Sequence, residues 1–160
     1  MDKAIITVGL GYGDEGKGAT VDFLCRALPI ETVVRYSGGH QCAHNVVLPN
    51  GDSHCFSQFG SGAIAGAMTY VDRDVLIEPI AMRREAEALS KLIDRNAMET
   101  IRIHPDCLVT TPYHKAANRT NSTTCSDGTC GVGIGETRRI MLEYGVGIRA
   151  EDLWNTYQVE

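Results

Sequence analysis

In "VGLGYGDEGKG", residues 8–18, two carboxylates and one ammonium are set among five glycines. Gly11, four residues, Gly16 and Lys17 follow most of the G-x-x-x-x-G-K-[ST] pattern of a phosphate loop. In such a loop, backbone N–H groups and a helix N-terminus take the phosphate oxygens, and the lysine adds a point charge. Two positions depart from it. Gly18 stands where a Ser or Thr would reach Mg²⁺, and Asp14 and Glu15 bring negative charge into an anion cradle. A carboxylate beside a nucleotide has two uses. It can bind Mg²⁺, which reverses the local charge problem, or it can take a proton from a substrate that faces the phosphate.

The same glycines admit other readings. Gly11, Gly13 and Gly16 fit the dinucleotide pattern G-x-G-x-x-G, with Glu31 near the distance of a ribose-binding acid. That would make the chain a dinucleotide-binding oxidoreductase domain, although Asp14 and Glu15 would then face a pyrophosphate. A tight strand-to-helix turn with Asp14 as the helix cap is the plainest alternative.

A second group follows in "RYSGGHQCAHNVV", residues 35–47. His40 and His44 are spaced i, i+4, which on a helix would suit zinc, with Cys42, His54 and Cys55 at hand. Gly38 and Gly39 argue against a helix, and the spacing matches no zinc finger. The histidines either hydrogen-bond within the loop or supply a general acid facing Asp14, as expected where α/β sheets bind ligands beyond the carboxyl ends of their strands.

The elements that must carry these loops are readable in outline. Residues 3–10, "KAIITVGL", read as a buried strand. Residues 19–28 have helical spacing, ended by Pro29. "TVVRYSG" reads as a second strand, and "NVVLPNGDSHCFSQFG" as two strands around Asn50-Gly51. "RDVLIEP" is read as another strand. Residues 80–95 form an amphipathic helix with Ile80, Met82, Ala86, Leu89 and Ile93 mostly on one face. "TIRIHPD" is a strand, residues 110–135 are loop-dominated, and "RAEDLWNTYQVE" opens a helix. The expected fold is α/β: a mostly parallel sheet flanked by helices, with a P-loop-like strand–loop–helix at the N-terminus. The 160 residues are read as a single nucleotide-binding domain.

Bulk properties narrow the function. The formal charge of -5 speaks against a broad nucleic-acid footprint. No apolar run approaches the roughly 20 residues of a membrane span, and the first residues lack the marks of a secretory signal. Six cysteines are then read as reduced thiols in a cytoplasmic protein. Cys125 and Cys130 in "CSDGTC" are read as loop thiols. His114, Lys115 and Arg119 are candidate anion ligands or a solvated helix start, and Trp154 and Tyr157 packing residues.

Taken together, "GYGDEGKGATVDFL", "VVRYSGGHQCAH" and "GTCGVGIGET" resemble the adenylosuccinate synthetase family, in the order and spacing of that family's first third. The resemblance implies a GTP-dependent ligase that joins aspartate to the 6-position of a purine nucleotide. It implies Asp14 as the base toward purine N1 and a Mg²⁺ ligand, His44 as the general acid, and Gly13, Asp14, Glu15, Gly16, Lys17, Gly18 and Ala19 around the GTP phosphates. Asp14, Lys17, Gln41, Ala43, His44 and Cys130 fall at substrate-nucleotide positions, and the Ala43 carbonyl at a second Mg²⁺ position. A cytoplasmic homodimer is implied as well.

Three departures converge on the acceptor's phosphate. Gln41 stands for the family's Asn, Cys130 for a phosphate-binding Thr, and Gly145 for an Arg lent by the partner subunit. A thiol is a poor hydrogen-bond donor, so an acceptor other than inosine monophosphate is expected. The family's aspartate loop and guanine-reading segment have no counterpart in these residues, which leaves a non-catalytic purine-nucleotide-binding module as the alternative.

Overall fold

A computed structural model describes residues 4–120 and 129–156, with side chains described through residue 153. The first element is helix α1, Lys17–Ala27, which follows the glycine loop. Strand β1, Thr32–Arg35, leads into the hairpin of β2, His44–Val47, and β3, Ser53–Phe56. A 3-10 turn at Ser61–Ala63 precedes β4, Met68–Val71. Helix α2, Pro79–Ile93, a second 3-10 turn at Ala97–Thr100 and β5, Ile101–Ile103, follow. Helices α3, Pro112–Thr120, α4, Ile134–Tyr144, and α5, Ala150–Thr156, complete the described elements.

The main sheet has the order β1-β4-β5, all parallel, with Thr32 opposite Met68 and Thr69 opposite Ile101. Isolated bridges Gly39–Leu76 and Ile77–Val109 continue it beyond the strands' carboxyl ends. The antiparallel β2–β3 hairpin is a separate pair. The α/β reading with a parallel sheet and flanking helices holds. Parallel neighbours need long crossovers, and α2 is the one between β4 and β5.

Local sequence explains the best-formed elements. Glu78 caps α2 by accepting from the backbone N–H of Ile80 and Ala81, and Pro79 occupies the first turn, where no N–H is needed. Met82, Ala86 and Leu89 turn inward and join Val46, Phe56, Phe59, Val71, Ile77 and Ile101 in one core. Burial of such side chains stabilises the fold by roughly 1.5–3 kcal/mol each. The hairpin closes around Gly51 at φ 91, with Asn50 Oδ1 accepting from the Asp52 N–H at 3.0 Å.

Several expectations are corrected. Residues 4–10 form no strand: Ile5, Ile6, Val8 and Leu10 are exposed, Leu10 at 97%. An apolar run becomes a buried strand only where neighbours pair with it and cover its faces, and β1 pairs with β4 alone. "RDVLIEP" forms isolated bridges instead of a strand, and the strand lies earlier, at Met68–Val71. The region 110–135 holds the nine-residue helix α3, and α4 is an element that sequence reading did not mark. Among the described residues, no helix is long and apolar enough to cross a membrane.

Candidate functional site

The glycine loop turns through left-handed backbone at Gly13 (φ 115), Asp14 (φ 52) and Gly16 (φ 72) before α1 begins. Gly16 is the N-cap residue and no side chain caps the helix, so Asp14 is not a capping residue. Asp14 is exposed. Glu15 folds back across the loop. It accepts from the Gly11 N–H and from the Lys17 ammonium, and both of these, with a further bond from Gly13, hold its carboxyl below the usual range.

Gly18 explains the missing Ser or Thr. A Cβ built at Gly18 would lie 2.5 Å from the Cβ of His44 and 3.2 Å from its Cα. His44, the first residue of β2, packs directly on the first turn of α1, so any side chain at position 18 would push it away. The contact joins helix α1 to the second histidine of the "GGHQCAH" loop.

That second loop is tied down from both sides. Arg35 donates to the carbonyls of Ser57 and Gly39, the latter at 3.3 Å. Leu76 N–H donates to the Gly38 carbonyl at 3.2 Å. Cys42 stands beside His44, whose imidazole bonds its sulfur and lowers the thiol to about 7 against the opposing effect of burial. Arg35 and the Gly39 backbone act in the same direction. Gln41 and Ala43 are exposed. His40 is buried at 8% exposure, and its Nε2 has no hydrogen-bond partner. Burial, then the Lys115 charge, push its imidazole below the ordinary histidine value.

The third loop meets the second. Ile134 Cδ1 lies 2.2 Å from where a Gly39 Cβ would be, and His40 bonds the Val132 backbone. The loop is anchored on α3: Asn118 Oδ1 accepts from Thr129 Oγ1 at 3.3 Å and from the Gly133 N–H at 3.2 Å, and Arg119 Nε donates to the Gly131 carbonyl at 3.0 Å. Cys130, at its tip, is exposed and free. Gly145, where a partner-derived Arg was expected by family pattern, is the C-cap of α4 at φ 66. Glycine is favoured there because a Cβ is strained in the left-handed region.

The structure therefore links the loops of Asp14, His44 and Cys130 in a chain of contacts. Other candidates have structural posts. Lys115 pairs with the 1% exposed Glu78 at 3.0 Å, and His114 Nδ1 accepts from the Thr111 N–H. His40, Cys42, His44, His54 and Cys55 do not gather: among the described residues, no group of three His, Cys, Asp or Glu side chains could hold a metal. The described cysteines are free thiols, while Cys125 and Tyr157 lie outside the described residues and the Trp154 side chain is likewise undescribed. Sequence reading singles out His40 and Lys115 separately, but not their packing around Glu78, which it takes as the end of a strand.

The chain is similar to known proteins over nearly its whole length. The family model for adenylosuccinate synthetase matches residues 6–160. The adenylosuccinate synthetase of Rhodococcus opacus is 33% identical over 156 residues, covering 94% of this chain and 35% of the relative. One from Stutzerimonas stutzeri is 32% identical over 161 residues, covering 97% of this chain and 88% of the relative. The fold is that of a fully ligated adenylosuccinate synthetase from Plasmodium falciparum, with TM-score 0.76 and 18% identity over 92% of this chain and 36% of that one. A cyanophage S-2L succinoaminodeoxyadenylate synthetase, bound to dGMP and to dATP as an energy donor, matches with TM-score 0.67 and 16% identity, over 90% of this chain and 40% of that one. The chain spans about a third of the length of the first curated relatives it matches.

Proposed function

The chain belongs to the adenylosuccinate synthetase family, and from that premise we propose that it carries the phosphate-binding and acid–base part of a GTP-dependent ligation of aspartate to the 6-position of a purine nucleotide. The observation that carries the reading is the packing of His44 on Gly18, which sets a histidine against the helix that follows the glycine loop.

In this reading Asp14 takes the proton from purine N1, and the 6-oxygen attacks the γ-phosphate of GTP with His44 as general acid. The aspartate amine then displaces the 6-phosphoryl group. Gly13 through Ala19 wrap the triphosphate, and Lys17 adds its charge once nucleotide enters. Asp14 and the Ala43 carbonyl offer an oxygen-only pair, which fits Mg²⁺, an ion that keeps waters and phosphate oxygens for its other positions. When bound, Mg²⁺ neutralises charge on the transferring phosphoryl group. The same reading gives a cytoplasmic homodimer whose partners are small molecules, with no nucleic acid or membrane involved.

Gln41, Cys130 and Gly145 favour an acceptor whose phosphate is held differently from that of inosine monophosphate. The same fold in the cyanophage protein holds dGMP and dATP, so the assay should present inosine monophosphate, GMP and dGMP, each with GTP, ATP and dATP. Mg²⁺-dependent GTP binding that disappears in Lys17→Ala supports a phosphate loop over a dinucleotide fold. Product formation lost in Asp14→Asn, with GTP affinity nearly unchanged, separates a ligase from a non-catalytic binding module. Full turnover with inosine monophosphate would refute the altered-acceptor part.

A further inference from the structure

Donors of the glycine loop are already engaged by a side chain of the loop itself. The Glu15 carboxylate accepts from the Gly11 N–H and from the Lys17 ammonium, with a further bond from the Gly13 backbone. Its Oε2 lies 1.8 Å from where a Cβ on Gly9 would be, and Lys17 Nζ lies 2.7 Å from the same point. Its Oε1 lies 2.8 Å from the corresponding point on Gly11. The carboxylate thus lies, open to solvent, where side chains on Gly9 and Gly11 would stand. Backbone N–H groups and a lysine are the donor set that a phosphate loop offers to phosphate oxygens, and here an internal anion takes them.

We propose that Glu15 is a specificity-determining residue, an internal anion that holds the phosphate seat and must be displaced by ligand, so that the loop rejects single phosphate groups and admits a metal-chelated polyphosphate. The inference deepens the phosphate-loop reading and rests on it. Displacement costs any ligand the same Lys17–Glu15 pair and the same backbone bonds. A lone phosphate recovers that cost through one group only. A triphosphate recovers it through several oxygens and through Mg²⁺, which draws the freed carboxylates instead of repelling them. Asp14, one residue earlier, does not share this seat, since its side chain makes none of these bonds.

The test is binding of inorganic phosphate to the 160-residue chain at constant ionic strength, followed by ³¹P line broadening. Glu15→Gln should tighten phosphate binding about fivefold, the scale of one exposed ion pair. Glu15→Ala should do likewise, and the gain should vanish when Lys17→Ala is added. Asp14→Asn removes an equal charge next door and should change affinity less than about twofold, the remainder expected of general screening. Equal affinity of the wild type and both Glu15 variants would overturn the inference, as would an equal gain from Asp14→Asn or no phosphate binding by any variant. Mg²⁺·GTP titrated in parallel keeps the two readings apart. Its failure to bind the wild type removes the nucleotide function, while the phosphate series still decides the role of Glu15.

Discussion

Gly18 and His44 are in backbone contact distance: a methyl group on Gly18 would stand 2.5 Å from the His44 Cβ. Gly18→Ser restores the ordinary phosphate-loop residue and should also raise helix propensity. It should nevertheless cost about 1–3 kcal/mol, because overpacking outweighs propensity. Gly135→Ala, in helix α4 where nothing lies within 4 Å of the added carbon, should stabilise by about 0.5–1 kcal/mol. Urea unfolding of both variants is the check, and stabilisation by Gly18→Ser would show that the contact is not rigid.

Cys42 should be the fastest-reacting of the described thiols at neutral pH. Its pKa is lowered to about 7, chiefly by the hydrogen bond from His44, and the thiolate is the nucleophile. The rate of iodoacetamide labelling should rise through a midpoint near pH 7. His44→Asn should move that midpoint upward by removing the largest cause. Cys107, pushed up to about 11 by burial, should stay unlabelled in the folded protein. Peptide mapping distinguishes the two sites.

His40 and His114 are both held below the ordinary histidine value, each mainly by burial. The unfolded chain therefore takes up protons at a higher pH than the folded one. The stability they contribute is complete above about pH 6.5 and is lost as pH falls below it. The urea midpoint should drop between pH 7 and 5.5, and the C2 proton shift of His40 should not titrate until lower pH. A midpoint independent of pH across this window would contradict the burial of His40 and the partial burial of His114.

Glu78 is almost completely buried, caps α2 and is neutralised by Lys115 at 3.0 Å. Lys115→Met should destabilise the protein by about 3 kcal/mol, since it leaves a buried carboxylate without its countercharge. Adding Glu78→Gln should restore much of the loss, because Gln carries no charge and its amide oxygen still caps the helix. Thermal unfolding of the double-mutant cycle measures the coupling, and simple additivity would mean that the pair does not interact.

Glu136 lies at 5% exposure in the first turn of α4, and the Arg139 guanidinium lowers its pKa. Its contribution is present above about pH 4.5 and is lost as pH falls through the lower folded-state value. Acid unfolding of the wild type should be steeper below pH 4.5 than that of Glu136→Gln.

The residues themselves determined which groups can do chemistry. Glycine spacing, Asp14, Lys17 and His44 stand out as candidates because phosphate loops and acid–base pairs need particular residue types at short range. The hairpin and α2 were legible for the same reason. Asn50-Gly51 closes a turn locally, and the apolar stripe of residues 80–95 marks a helix locally, although its true start at Glu78-Pro79 read as the end of a strand. Helix α4 carried a local signal as well, a glycine at each cap, but the surrounding Thr-, Ser- and Gly-rich composition masked it.

Tertiary structure decided the rest, since pairing and burial are properties of two segments at once. The apolar run at residues 4–10 has the composition of a buried strand and remains exposed because no described strand pairs with it. Met68–Val71 is a strand because Thr32–Arg35 lies beside it, more than thirty residues earlier. The glycine at position 18 looked like a defect in a motif until His44 filled the space a side chain would need. Glu15 looked misplaced in a glycine loop, yet in the fold its carboxylate accepts from the Gly11 N–H and the Lys17 ammonium. Short-range patterns specify what a segment can do, and only the packed chain specifies what it touches.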